Sequence, residues 1–425
     1  MRRASYLYLM VGIMQAFYLP FSSIVFRDRG VSFEAIGLVG AINSILSLAA
    51  APIWGHLGDA TLGRVAAFRI AIFATAIGVF AFAAGPVAGI PGSMLAAFAG
   101  AGIVPLLDAI GMERLAEVKG NWGTLRAVTS ASYAATGLVS GALVVAGGAF
   151  LVGPLYGAGA LIVLMGTLGL RVTHRRHRVV SEDELEAERS ELAGGNAEIA
   201  VAGDWRDRFG TVSLAFAQSP KLLSFLLLSL LVNLGAGIFY SYGALRIQEV
   251  GGNAAMVTLS AAISAAVEIP FFLIGGAVAL RFGMRAVYSI GLVALGLCCF
   301  GYAFDFSPFA LSIMRGLVGV GYACTLLGSV LTVRAIVPLQ LQATGQALFQ
   351  AVSFGLAISV SSIVGGVIYG EIGAFPVFVL GGAILIGSVP FAWKILRVDA
   401  VAATSSHSLP RERAPRFFQD DDETQ

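Results

Sequence analysis

The chain has 425 residues, 57% of them hydrophobic and only 12% charged, with a net charge of +2 and a mean hydropathy of +0.84. Soluble domains carry roughly 25% charged residues, so an ordinary globular protein is excluded, and the near-neutral balance gives no electrostatic footprint for nucleic acid. Cys298, Cys299 and Cys324 fall in apolar stretches and read as small buried hydrophobes. His56, His174, His177 and His407 fall in connections or tails and assemble no metal cluster.

A bilayer core takes about 20 apolar residues per helix, and the sequence offers twelve such segments: 6–26, 35–57, 65–84, 90–112, 124–147, 150–171, 221–245, 256–280, 286–304, 307–337, 345–369 and 373–396. They are too long, and alternate too little, for the strands of a barrel. The first follows a short basic stretch, as a signal peptide would. Its apolar run continues past Pro20 to Phe26 with no small-residue cleavage site, so it reads as helix 1. The expected fold is an all-α membrane protein.

Basic residues set the orientation. Arg2 and Arg3 precede helix 1, and the even-numbered connections carry Arg64, Arg114 with Lys119, Arg175 to Arg178, Arg281 with Arg285, and Arg334. Odd-numbered connections hold mainly Arg27, Arg29 and Arg246, each near an acid. The positive-inside rule then places both termini in the cytoplasm of a multi-pass protein in a bacterial inner membrane. One break divides the chain: residues 172–220 turn charged, with acids and bases alternating as in a solvated helix or linker, then less polar around Trp205, Phe209 and Phe216. This gives an N-terminal six-helix bundle over 1–171, a cytoplasmic linker over 172–220, a C-terminal bundle over 221–397 and a disordered tail over 398–425.

Four ionisable residues interrupt the apolar spans: Asp108 in helix 4, Arg126 at the start of helix 5, Glu268 in helix 8 and Arg315 in helix 10. A charge in hydrocarbon costs several kcal/mol or more unless it faces a bundle interior or a water-filled path with a partner. A turn near Lys119–Asn121 would bring Asp108 and Arg126 side by side. Glu268, desolvated at mid-membrane beside Pro270, has the setting of a proton-carrying acid; pairing with Arg315 merely to lock helices 8 and 10 is the structural alternative. Polar and aromatic residues inside spans add lumen candidates: Gln15, Tyr18, Asn43, Tyr133, Asn233, Tyr240, Gln346 and Gln350. Phe239, Tyr240 and Tyr242 are also the kind of aromatics that serve packing, and Gly316, Gly319 and Gly321 read as close helix contacts.

The halves echo each other. Helices 2 and 3 are joined through Gly55, Asp59, Gly63 and Arg64; helices 8 and 9 through Gly276, Arg281, Gly283 and Arg285. In each, one glycine is expected to let helices approach and another to make a tight turn. With these two turns on a six-plus-six chain, the sequence resembles the major facilitator superfamily, whose loop signature is G-x-x-x-D-[RK]-x-G-x-[RK]. The first copy has Ala60 in place of the base and its glycine one residue late; the second has Leu280 in place of the acid. Asp108, Arg126 eighteen positions later in Gly123-x-x-Arg126, and Tyr133 after it are similar to the lactose permease type and the related nucleoside and phenylpropionate permeases. That resemblance implies two six-helix bundles, alternating access and a substrate held by Asp108, Arg126, Tyr133 and Arg315. Those sugar symporters carry a histidine and a glutamate after the helix 10 cation where this chain has Val318 and Gly321, so coupling falls on Glu268 or Asp108.

The expected function is proton-coupled uptake of a small organic solute (a nucleoside, aromatic acid or sugar-like compound) by a monomer that uses no cofactor or metal. A proton-driven efflux antiporter of the same fold is the alternative. No Gly-x-x-x-x-Gly-Lys phosphate cradle points to ATP, and no nucleophile, ligand set or large extramembrane domain points to an enzyme.

Overall fold

The computed structural model describes residues 2–116, 122–168, 213–338 and 341–396; most of the 172–220 segment and the 398–425 tail lie outside the described residues. Twelve helices are long and apolar enough to cross a membrane: Ser5–Asp28, Phe33–Asp59, Arg64–Ala84, Pro86–Gly111, Ala127–Gly147, Ala149–Thr167, Pro220–Glu249, Ala254–Phe272, Met284–Ala303, Pro308–Ile336, Thr344–Glu371 and Ala374–Ile395, helices 1 to 12 in order. Helices 1–6 and 7–12 form two bundles. Helices are the economical answer for such a chain, because each satisfies its own backbone donors and acceptors without water. Counting twelve alternating spans, the start of helix 1 and the end of helix 12 lie on one face of the membrane, called here the terminus side; the other is the far side.

Several helices are discontinuous. Helix 1 stops at Gln15, makes a tighter turn over Leu19–Phe21, where Pro20 lacks a donor, and resumes over Ser22–Asp28. Helix 4 breaks between Gly100 and Ile103, helix 10 breaks at Arg315, and helix 11 carries a wide π turn over Ala351–Ala357. The α-helix that begins helix 8 runs on to Phe282 and passes Pro270 unbroken. Irregular backbone thus appears not at Pro270 but in helices 1, 4, 10 and 11.

Four arginines cap helix ends, and they do so in repeat-related pairs. On the far side Arg29, just past helix 1, donates to Phe82 O and Ala83 O at the end of helix 3, both at 2.6 Å. Burial pulls this guanidinium below its ordinary pKa, while adjacent Asp28 pushes it back up. Arg246 of helix 7 donates in the same way to Tyr302 O at the end of helix 9 (3.1 Å). It also bonds Glu249 at 2.9 Å and Asp305 at 2.5 Å. On the terminus side Arg69 of helix 3 donates to Thr167 Oγ1 (2.9 Å) and Thr167 O (2.6 Å) at the end of helix 6, and Arg285 of helix 9 to Leu396 O (3.3 Å) beyond helix 12. The last carbonyls of a helix lack intrahelical partners and carry partial negative charge, so a cation there is stabilising. Arg246 thus corrects the sequence reading: it lies in the last turns of helix 7, only 4% exposed, and not in a connection.

The bundles meet on the far side. Helix 2 lies against helix 11: Ser359 Oγ donates to Ala41 O at 3.2 Å, and the rings of Phe33 and Tyr369 stand 4.4 Å apart. Gln248 at the end of helix 7 donates to Asp28 at the end of helix 1 (3.1 Å). Glycines set the clearance. A Cβ on Gly366 would come within 2.9 Å of Phe33 O, and one on Gly141 of helix 5 within 2.8 Å of Ala255 Cα in helix 8. These hydrogen bonds and this ring pair join the bundles on the far side, and the glycine contacts reach Leu48 against Gly355 near mid-span. The protein is closed on the far side.

Candidate functional site

A cavity of about 440 Å³ lies against the closed far side, between helices 1, 2 and 4 of one bundle and helices 7 and 11 of the other. The helix breaks position its wall: Tyr18 and Leu19 come from the interruption of helix 1, and Ala101 from that of helix 4. Four sequence candidates line it: Gln15, Tyr18, Asn43 and Tyr240. The structure adds seven serines, Ser22, Ser23, Ser44, Ser47, Ser93, Ser241 and Ser362, which sequence reasoning passed over because a lone serine in a span carries no distinguishing signal. On helix 2 the lining positions Gly40, Asn43, Ser44 and Ser47 recur at helical spacing, which was the available hint for two of them. Tyr18 is held by edge contacts to Phe82 and Tyr156, at 5.3 and 6.0 Å between centroids.

A charged centre lies beside this cavity. Arg315, at the break of helix 10, donates to Ser260 Oγ of helix 8 at 3.1 Å and stands 5.5 Å over the Phe239 ring, while its Nε is buried without a hydrogen-bond partner. Glu268 sits one helix away, where Gly319 brings helix 10 so close that a Cβ there would approach Glu268 N at 3.0 Å. The hydroxyls of Tyr133 in helix 5 and Tyr240 in helix 7 both feel the charges of Glu268 and Arg315. Tyr240 therefore belongs to the cavity wall and to the charged centre at once. The close-contact reading of Gly319 and Gly321 holds: a Cβ on Gly321 would meet Gly291 O of helix 9 at 3.0 Å.

Other candidates are placed elsewhere. Asp108 accepts a 2.7 Å hydrogen bond from the Tyr8 hydroxyl of helix 1, a partner that the sequence did not reveal. Arg126 lies on the helix that continues into helix 5, but its side chain is outside the described residues, so its approach to Asp108 is too. Gln346 donates its amide to Val330 O of helix 10 (3.1 Å), Asn233 to Ser229 O one turn back (2.9 Å), and Gln350 is exposed. None of these three lines the cavity, because each amide finds a backbone partner or solvent. Asn233 instead borders a small void with Tyr240 and Tyr322.

At the loops, Gly63 and Gly283 both adopt the left-handed region, φ 81° and 83°, as the turn of a repeated motif requires. Arg64 pairs with Asp59 at 2.9 Å. Gly55 departs from expectation: it is exposed and a Cβ there would meet nothing within 4 Å. Gly58 supplies the close approach, 2.6 Å from Leu106 Cδ2 of helix 4 for an added Cβ. Gly276 lies among the residues whose surroundings are not described. Arg281 stands 5.4 Å from the Phe282 ring, and Arg285 6.0 Å from Trp393.

Two six-helix bundles closed over a polar cavity, with repeated glycine turns between their second and third helices, define a membrane transporter of the major facilitator type and not an enzyme. The chain belongs to the MFS_1 like family, which matches residues 2–380. Among solved structures it is similar to the nucleoside transporter NupG (TM-score 0.72, 16% identity, covering 93% of this chain and 98% of that one). It is similar also to the peptide transporter POT in complex with sulfate (0.68, 14%, 93% and 95%) and to the POT family transporter PepTSo (0.64, 13%, 93% and 98%). No curated protein matches the sequence.

Proposed function

We propose that this protein is a proton-coupled symporter that takes up a small organic solute across a bacterial inner membrane by alternating access, as a monomer with cytoplasmic termini and residues 172–220 linking its two bundles. The observation that carries the reading is Glu268: an acid inside helix 8, one helix from Arg315. An acid inside a membrane span is a candidate carrier of the coupled proton. The solute binds in the cavity beside it, and rocking of the bundles closes the far side once the terminus side opens. The hydroxyl and amide groups on its wall, Gln15, Asn43 and the serines among them, can hold a hydrophilic compound.

Proteoliposomes test this with labelled sugars, nucleosides and aromatic acids, with and without a pH gradient. Accumulation that follows the inward proton gradient is expected, and Glu268→Gln should abolish it while leaving solute exchange, which needs no net proton movement. Accumulation by Glu268→Gln equal to the parent would move coupling to another acid; a solute expelled as protons enter would establish the antiporter.

A further inference from the structure

Two polar stripes face each other inside the C-terminal bundle. On helix 10, which runs from the far side to the terminus side, Gly319, Tyr322, Thr325 and Ser329 recur at helical spacing. On helix 7, which runs the opposite way, Ser229, Asn233 and Tyr240 do the same. Ser229 is wholly buried, and its Oγ has no hydrogen-bond partner. Between the stripes lies a second void, of about 20 Å³, bordered by Asn233 and Tyr240 of helix 7, Tyr322, Thr325 and Ser329 of helix 10, and Tyr288 of helix 9. A space of about 10–15 Å³ admits one water, provided that about two to four polar groups can bond it. Thr325 spends its hydrogen on Gly321 O (2.7 Å), so its oxygen is left to accept. Asn233 gives one amide hydrogen to Ser229 O (2.9 Å) and has a second to give. A dry void here would leave such groups unbonded, at about 1–3 kcal/mol for each buried one.

The void adjoins the charged centre at its mid-membrane end. Gly319 packs against the backbone of Glu268, and one turn nearer the terminus side Phe272 of helix 8 stands edge-on to the Tyr322 ring, 6.3 Å between centroids. Tyr322 borders the void but not the solute cavity, whereas Tyr240 borders both. At the other end Tyr288 lies one turn inside Met284, where helix 9 starts on the terminus side. We propose that the void binds one water, and that this water and the Tyr322 hydroxyl carry the coupled proton from Glu268 toward the terminus side, past Ser329 and Tyr288, without entering the solute cavity. This rests on the reading of Glu268 as the coupling acid. In each passage the carboxyl gives up its proton and is left a carboxylate, while every oxygen on the way takes one proton and releases another. Only O–H bonds form and break. Asn233 and Thr325 hold the water and are positioning residues. A route apart from the cavity lets the acid discharge while solute still covers Tyr240.

Water itself is the probe for the site. Radiolysis of the full chain in ¹⁸O-enriched water oxidises side chains beside a bound water even where bulk solvent does not reach. Tyr288, only 1% exposed, is therefore expected to take up ¹⁸O about tenfold faster than Tyr302, which is 0% exposed and borders neither cavity nor void. Asn233→Leu, which removes the amide with little change of volume, should abolish the difference. Equal labelling of Tyr288 and Tyr302, or a difference that persists in Asn233→Leu, would overturn the water site. The relay is read in proteoliposomes with whichever of labelled adenosine, glucose or phenylpropionate the parent accumulates. Tyr322→Phe and Thr325→Val delete a hydroxyl and keep the shape. Both are expected to cut proton-driven accumulation about tenfold while solute exchange stays within about twofold, and Thr325→Ser to restore it. Accumulation equal to the parent's in Tyr322→Phe and Thr325→Val, where Glu268→Gln abolishes it, would overturn the relay and leave the coupling reading intact. Accumulation that survives Glu268→Gln as well would defeat the coupling reading and the relay with it, and the ¹⁸O labelling would still decide the water site.

Discussion

Gly141→Ala offers a direct way to bias the transporter between its two states. The new methyl would overlap the Thr258 hydroxyl and stand 2.8 Å from Ala255 Cα and 3.1 Å from Ala254 O. The hydroxyl can rotate, but the two backbone atoms cannot, so relief requires helices 5 and 8 to part on the far side. Overpacking of this kind costs about 1–3 kcal/mol. A state open on the far side does not make the contact and escapes the cost, which shifts the population ratio by about 5- to 150-fold toward it. A cysteine at Ser44, on the cavity wall, reports the shift through its rate of alkylation by a membrane-impermeant maleimide applied from the far side. The native Cys298, Cys299 and Cys324 are buried and give little background. Gly78→Ala is the matched control: it crowds Ala96 N (2.6 Å) and Gly92 O (2.7 Å) between helices 3 and 4 of one bundle, so it should lower the melting temperature without exposing Ser44→Cys. Labelling of the Gly141→Ala protein no faster than its parent, or equally fast labelling with Gly78→Ala, would refute the assignment of Gly141 to the closing interface.

Arg246→Met removes the donors to Tyr302 O, Glu249 and Asp305; the two acids are 43% and 89% exposed and regain water, so the loss should be about 1.5–3 kcal/mol from the charged hydrogen bonds, and a melting temperature equal to the parent's would contradict the capping role. Tyr8→Phe deletes the 2.7 Å bond to Asp108; calorimetry should register a cost of about 1.5–3 kcal/mol, and a stability equal to the parent's would deny the bond that weight. Asp59→Asn breaks a 2.9 Å pair whose side chains are 65% and 40% exposed, so denaturation should change by less than ~1 kcal/mol; a larger loss would mean that the pair holds the fold rather than the turn.

The sequence made the membrane class, the twelve spans and the repeated turns legible because these depend on long apolar runs and on glycine, whose backbone freedom leaves a mark at Gly63 and Gly283. Charge location was equally readable, since Glu268 and Arg315 contrast with the apolar residues around them. What escaped depends on proximity between helices. Nothing in the spacing of Tyr8 and Asp108, a hundred residues apart, announces their bond. The serines of the cavity are ordinary span residues until five helices bring them together. Gln346 and Asn233 looked like lumen amides because an amide in a span must find partners. They find them in backbone carbonyls, which sequence cannot distinguish from a substrate. Gly55 was misread for the complementary reason: a motif position predicts a turn, but close packing belongs to Gly58 three residues on.

Helix 7 is where cavity, charged centre and far-side closure meet. Tyr240 forms part of the cavity wall and stands in the field of Glu268 and Arg315. Its neighbour Ser241 shares a 2.7 Å hydrogen bond with Ser362 of helix 11, and the Tyr242 hydroxyl donates to Ser362 O, the carbonyl that a Cβ on Gly37 of helix 2 would strike. Two turns on, Gln248 reaches across to Asp28. The other half of the closing surface is fixed from behind: Arg246 ties helix 7 to the end of helix 9, as Arg29 ties the end of helix 1 to helix 3. Each bundle is thus braced internally by buried or capped charges, while the contacts between bundles include close-packed glycines, hydroxyls, the Phe33–Tyr369 ring pair and the Gln248 amide. Strong bonds within and weak, easily exchanged ones between are what rigid-body rocking demands, because the interface must break in every cycle and the bundles must not. A solute bound against Tyr240 touches a helix whose displacement alters the acid's surroundings and the far-side contacts together.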